Sequence, residues 1–214
     1  MKPVSGVKEA LVTAVTSSRF YTGVGSRETP PEILVLMEQM ARYLALLGWR
    51  LRSGCADGAD QAFQRGAVGS IAYPKVLPEL YLPWNGFRYS EGQSWANEDK
   101  GFIDTFKLPN YEQALSIILS MRPDVEHKRG PRALHTRNVY QVLGRDLATP
   151  SRKLICWAEP AGRGHNVRGG TNTAVQLARR HNVPVLNLCR DEDRLRAEKF
   201  LQQYAFLDEH QLAA

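Results

Sequence analysis

One phrase recurs along this chain and limits what it can fold into: a short apolar run, a glycine-bearing loop, then a helix with one apolar face. It appears first in Phe20-Tyr21-Thr22-Gly23-Val24-Gly25, followed by Thr29-Pro30-Pro31-Glu32, which reads as a capping box with Thr29 as N-cap and Pro30 at the first helical position. Ile33, Leu36, Met37, Met40, Leu44 and Leu47 then recur at helical spacing, and Gly48 ends the pattern. The second occurrence is Trp49-Arg50-Leu51-Arg52, the loop Ser53-Gly54-Cys55-Ala56, and a helix from Asp57 to Ala67. The third is Lys153-Leu154-Ile155-Cys156-Trp157-Ala158, a glycine-rich loop reaching Thr171, and a helix from Asn172 to Arg180. A strand at 183–188 and a closing helix at 191–204 complete the series. Strands alternating with helices predict an α/β fold with an open parallel sheet.

The middle of the chain has another texture. Nine aromatics and several prolines crowd between Tyr73 and Tyr111. This predicts an aromatic-rich insertion at about 74–110, with one strand at 76–82 and otherwise a long structured loop. Helices are expected at 111–121 and at 131–147, the latter with Leu134, Val139, Val142 and Leu143 inward.

A length of 214 residues fits a single domain spanning 1–214, and 43% hydrophobic with 23% charged residues is the composition of a folded protein. Without an apolar stretch long enough for a signal peptide or a membrane span, a soluble, cytoplasmic protein is the expectation. Cys55, Cys156 and Cys189 are odd in number and far apart, which argues against disulfides and a metal site. The net charge of +6 favours anionic partners, phosphates or nucleic acid. Much of the excess lies between Arg122 and Arg137, either a solvated helix face or a phosphate-facing patch.

Each glycine loop leaves the carboxyl end of a strand, the edge where ligands bind to open parallel sheets. In the first, Gly23, Gly25, Ser26 and Arg27 offer amides, a hydroxyl and a forked cation, but Glu28 replaces the third glycine of a dinucleotide fingerprint and Arg52-Ser53 stand where a ribose-binding acid is expected. A conventional NAD site is therefore disfavoured, and no cofactor is expected. In the second loop, Ser53 and Gly54 permit close approach, Asp57 suits a helix N-cap, and Asp60 serves either to organise the loop or to meet a ligand. In the third, Arg168, Gly169, Gly170 and Thr171 have the makings of a phosphate cradle, and His165 beside them is an acid–base candidate.

The residues Tyr21-Thr22-Gly23-Val24-Gly25-Ser26-Arg27, Ser53-Gly54-Cys55-Ala56-Asp57-Gly58-Ala59-Asp60 and Gly169-Gly170-Thr171 together resemble the SLOG superfamily. That group includes the DprA (Smf) DNA-processing proteins, the LOG phosphoribohydrolases and nucleotide-sensing SLOG domains of defence systems. The first two loops are nearest to the DprA proteins, and Leu82-Pro83-Trp84-Asn85-Gly86-Phe87 is similar to SLOG proteins common in phage genomes. The resemblance implies a Rossmann-like fold, a nucleotide ligand and a homo-oligomer. It also exposes a departure: Ala174 or Gln176 occupies the place of the LOG catalytic glutamate, leaving Glu98, Asp99 or Glu159 as substitutes.

The reading that follows is a protein that binds a nucleotide or nucleotide-derived small molecule, sequestering a signalling nucleotide, with phosphate held by the first and third loops. Ser53, Gly54, Asp57 and Asp60 would meet the ribose, and Trp84, Phe87 or Trp95 would stack on the base. The alternatives are a nucleoside-phosphate N-glycosidase and a binder of single-stranded DNA.

Overall fold

A computed structural model describes residues 19–89, 92–162 and 164–205. Its main sheet holds six strands in the order β6-β3-β2-β1-β7-β8, every pairing parallel. These are β1 Arg19–Gly25, β2 Trp49–Ser53, β3 Glu79–Leu82, β6 Phe102–Asp104, β7 Leu154–Trp157 and β8 Val185–Asn187. β4 Phe87–Tyr89 and β5 Gly92–Ser94 form a separate antiparallel pair. The helices are α1 Pro31–Leu46, α2 Ala59–Val68, α3 Tyr111–Met121, α4 Arg129–Leu143, α5 Thr171–Arg180 and α6 Asp191–Tyr204.

Alternation along the strands builds two cores. Tyr21, Leu51, Leu80 and Ile155 face α1, α2 and α6, while Val24, Tyr81, Leu154 and Cys156 face α3, α4 and α5. Both faces of the sheet are therefore covered, as a parallel sheet requires. Two glycines of β1 let α2 approach: a Cβ on Gly23 would stand 2.6 Å from Phe63, and one on Gly25 2.6 Å from the Ala59 Cβ.

The sequence expectations need four corrections. The insertion is more than a loop with one strand: it carries the β4–β5 pair, and it adds β6 to the edge of the main sheet. β3 begins at Glu79, three residues later than 76. Thr29 does not cap α1; Pro30 is the N-cap, and the Thr29 hydroxyl donates to the Ser26 carbonyl at 2.8 Å, closing the first glycine loop. Asp57 does not cap α2 either, because Gly58 takes that place with φ 79°, and a Cβ there would meet the Ser26 carbonyl at 2.6 Å. Among the described residues no helix is long and apolar enough to cross a membrane.

Candidate functional site

The strand order reverses between β1 and β7, since the chain runs outward from β1 through β2 and β3 and then returns to its other side. Loops leaving neighbouring strands in opposite directions open a crevice at such a switch point. A cleft of about 630 Å³ lies there. Its walls are the loop after β1, the loop after β7 with the start of α5, and one face of α4.

Gly25, Ser26, Arg27, Asp60, Arg168, Gly169, Gly170 and Thr171 all line the cleft, and so does Glu159. Gly23, Ser53, Gly54 and Asp57 are not among the lining residues. Gly23 is packed beneath α2, and the Ser53 hydroxyl donates to the Gly23 carbonyl at 2.7 Å, tying β2 to β1. His165 is exposed and also outside the lining. Glu98 is paired with Arg145 at 2.8 Å on a short 3-10 turn that also carries Asp99, and neither lines the cleft.

The first loop differs from an open phosphate cradle. The Ser26 N–H donates to the Trp157 carbonyl at 2.9 Å, the Glu28 N–H to the Ser26 hydroxyl at 3.1 Å, and the Gly25 N–H is directed to Asp60. What this loop presents is the exposed Arg27 side chain, which has no carboxylate partner among the described residues.

The third loop has the complementary character. Arg168 donates its backbone N–H to the Glu159 carbonyl, and its guanidinium pairs with the Glu159 carboxylate at 2.8 Å. The next three N–H groups, of Gly169, Gly170 and Thr171, have no acceptor among the described residues. Gly169 is left-handed, with φ 70°, and Gly170 is right-handed, with φ −65° and ψ −24°, before α5 begins. Successive amides in that alternation form a concave anion-binding nest, here at the positive end of a helix.

The floor comes from α4, a contribution the hydrophobic pattern did not reveal. From His135 onward this helix is buried on nearly every side, and His135, Arg137, Asn138 and Gln141 face the cleft. The 129–143 helix is also shorter at its C-terminus than expected, ending at Gly144 with φ 82°. Arg137 is 6% exposed; it donates to the Gly54 carbonyl and stands 3.4 Å from Asp60, itself 3% exposed. Burial pushes the Asp60 carboxyl up, and Arg137, the Ala56 and Gly25 N–H groups and the Gln141 amide pull against it. Asp60 thus joins both early loops to α4. His135 is held down to about 4 by burial, with Arg122 adding to the effect, so it is neutral at pH 7, and its Nδ1 lies 2.9 Å from the Thr173 hydroxyl. The clue in the sequence was polar residues at helical spacing, 135, 138 and 141, on the face beside the apolar one.

The basic stretch from Arg122 to Arg137 is therefore neither one solvated face nor one phosphate patch. Arg122 is clamped to Asp124 at 2.8 Å, Arg132 donates to the Glu126 carbonyl, and Arg137 is interior.

Trp84 and Trp95 are not in the cleft. Trp84 packs edge-on against Phe87 at 5.2 Å, and Trp95 covers Gly86. The aromatic residue among those lining the cleft is Trp157, half-buried at the end of β7 and accompanied by Pro131, Leu134 and Ala174. Ala174 thus lines the cleft, whereas Gln176 lies outside it and donates to Asn166 at 2.7 Å.

Fold and cleft define a Rossmann-like α/β protein with an anion-suited crevice at its switch point. No protein-family model matches the sequence, and no curated protein matches it. Among solved structures the chain is similar to DNA processing protein A from Helicobacter pylori, a protein described for its single-stranded DNA binding mode. The identity is 16%, the match covers 90% of this chain and 84% of the other, and the TM-score is 0.35.

Proposed function

We propose that the cleft binds a nucleotide or nucleotide-derived ligand by its phosphate and holds it without turnover. The observation that carries this reading is the run of three backbone N–H groups, Gly169, Gly170 and Thr171, lacking acceptors at the start of α5. A phosphate there would accept from all three and meet the helix dipole. Arg27 supports the same reading, because its charge already acts unfavourably on the buried Arg137, and an anion between them relieves that repulsion. The base is assigned to the apolar wall of Trp157, Leu134 and Pro131. Its ring face offers a stacking contact of about 1–3 kcal/mol.

Calorimetry with a nucleoside monophosphate and with inorganic phosphate tests the assignment. Arg27→Ala should weaken both ligands by about 1.5–3 kcal/mol, the range for charge-assisted hydrogen bonds. Gly170→Leu, whose Cβ enters open space, should block the nest while leaving the fold intact. Unchanged affinity in both variants would remove the site.

A further inference from the structure

Among the described residues six large apolar side chains are exposed, and the insertion supplies the three that are aromatic: Trp84 at 37%, Trp95 at 61% and Phe106 at 48%. Apolar residues exposed singly are ordinary on a protein surface, whereas several rings on one short segment offer a contact surface. These rings are also braced from beneath. Trp84 packs edge-on against the buried Phe87 at 5.2 Å, Phe106 stacks on Tyr111 at 4.5 Å, and Trp95 lies so close to Gly86 that a Cβ there would stand 3.1 Å from the indole.

Trp84 and Phe106 border a hollow of about 280 Å³, which Arg129, Gly130 and Ala133 complete from the start of α4. That volume is at or below the lower end of small-molecule pockets, roughly 300–1,000 Å³, and suits one large side chain with the rest of its chain outside. Four of the five lining residues are uncharged, and the fifth, Arg129, is exposed and makes no ion pair among the described residues. Lys107, next in sequence to Phe106, is exposed and without an ion pair as well. The first turn of α4 contains no acid to answer them. An apolar hollow with a single cation in its wall differs from the run of cations that tracks a nucleic-acid backbone.

We infer that this hollow docks a peptide segment of a partner protein. One large aliphatic or aromatic side chain enters beside Trp84 and Phe106, and an acidic residue next to it pairs with Arg129. Anchors of this kind, a buried apolar group rimmed by complementary charge, carry most of the energy of small interfaces. The insertion is then a docking element with its own role. It is separate from the nucleotide cleft, whose wall uses Pro131 and Leu134 of the same helix, so this inference does not rest on the reading of that cleft.

The experiment pans a library of displayed random heptapeptides on the full chain, with Gly130→Leu as counter-target. That leucine grows into open space from a position lining the hollow and removes no contact. Phe106→Ala, which trims an exposed ring, is a second counter-target. Peptides enriched on the protein but on neither variant should carry a large apolar residue with Asp or Glu within two positions. For the best of them, calorimetry with the synthetic peptide should show Phe106→Ala weakening binding about tenfold or more. Arg129→Ala should weaken it about 1.4-fold to fivefold, the worth of an exposed ion pair, and that difference should vanish in molar salt. Enrichment that fails to distinguish the protein from both variants, or enriched sequences without acids, would overturn the inference. Displacement of the peptide by oligothymidylate would assign the hollow to nucleic acid and overturn it too.

Discussion

Arg137 and Asp60 meet 3.4 Å apart, 77 residues distant in sequence, with both side chains almost wholly enclosed. This pair joins α4 to the second glycine loop at the base of the cleft. Its members are retained in the interior because each also serves the backbone: Arg137 donates to Gly54, and Asp60 receives the Gly25 and Ala56 N–H groups.

Removing one member should therefore cost more than the pair itself contributes. Asp60→Ala leaves an enclosed guanidinium without its counter-charge, and the expected loss is about 3–5 kcal/mol in chemical denaturation. A loss below about 1 kcal/mol would mean that water reaches Arg137 and that the floor is open.

Acid should weaken the fold through His135. Its folded value of about 4 lies below the ordinary 6.5, so between those limits the unfolded chain binds a proton that the native protein refuses. Stability from this group is complete above pH 6.5 and is lost as pH falls toward 4. The slope approaches about 1.4 kcal/mol per pH unit. Asp60, whose value is raised, acts in the opposite sense at the acidic end, so the measurement is a difference: unfolding free energy from pH 4 to 7 for the protein and for His135→Gln. Parallel curves would refute the assignment.

Glu159 should compete with the ligand. Arg168 is engaged by Glu159 at 2.8 Å, and a phosphate in the nest must draw that guanidinium away or share it. Glu159→Gln should then tighten inorganic phosphate, whereas Arg168→Ala should weaken it less than Arg27→Ala does, since of the two only Arg27 begins without a carboxylate partner among the described residues. Titration calorimetry gives the ranking, and weaker phosphate binding by Glu159→Gln would reverse the argument.

Gly58 should tolerate no side chain. Its φ of 79° and the Ser26 carbonyl 2.6 Å from a Cβ position combine backbone strain with a clash between two loops. Gly58→Ala should lower stability by more than about 1 kcal/mol, visible as a fall in Tm. Gly162→Ala, also at positive φ but facing open space, should cost the strain alone and provides the comparison.

The βα units were legible because period and punctuation agreed in each: apolar runs, glycines and amphipathic helices fell where the sheet places them. What the sequence concealed was tertiary in origin. Trp84 and Trp95 were expected to stack on a base in the main cleft, but nothing local tells an aromatic whether it will reach that cleft, and neither lines it. Trp157 read as part of a buried strand, and it reached the cleft wall only because β7 ends at the switch point. Arg137 read as surface charge, and only the fold supplied Asp60 and Gly54 to justify its burial. β6 was missed because Phe102–Asp104 is too short to show a period of its own and is strand only by pairing with β3.

The central place of β1 has a consequence for the timing of synthesis. One edge of this strand is covered by β2 almost as soon as it is made, but its other partner is β7, where Gly23 pairs with Ile155. At about 5–20 residues per second, a gap of roughly 130 residues leaves that edge bare for roughly 7–26 s on the ribosome. Throughout that interval the nascent chain displays a row of unmatched amides and carbonyls, with Thr22 still lacking Ser151 and the Gln141 carbonyl. Until β7 arrives, that edge is open to pairing with another chain, so the order of synthesis itself exposes the protein to edge-to-edge association.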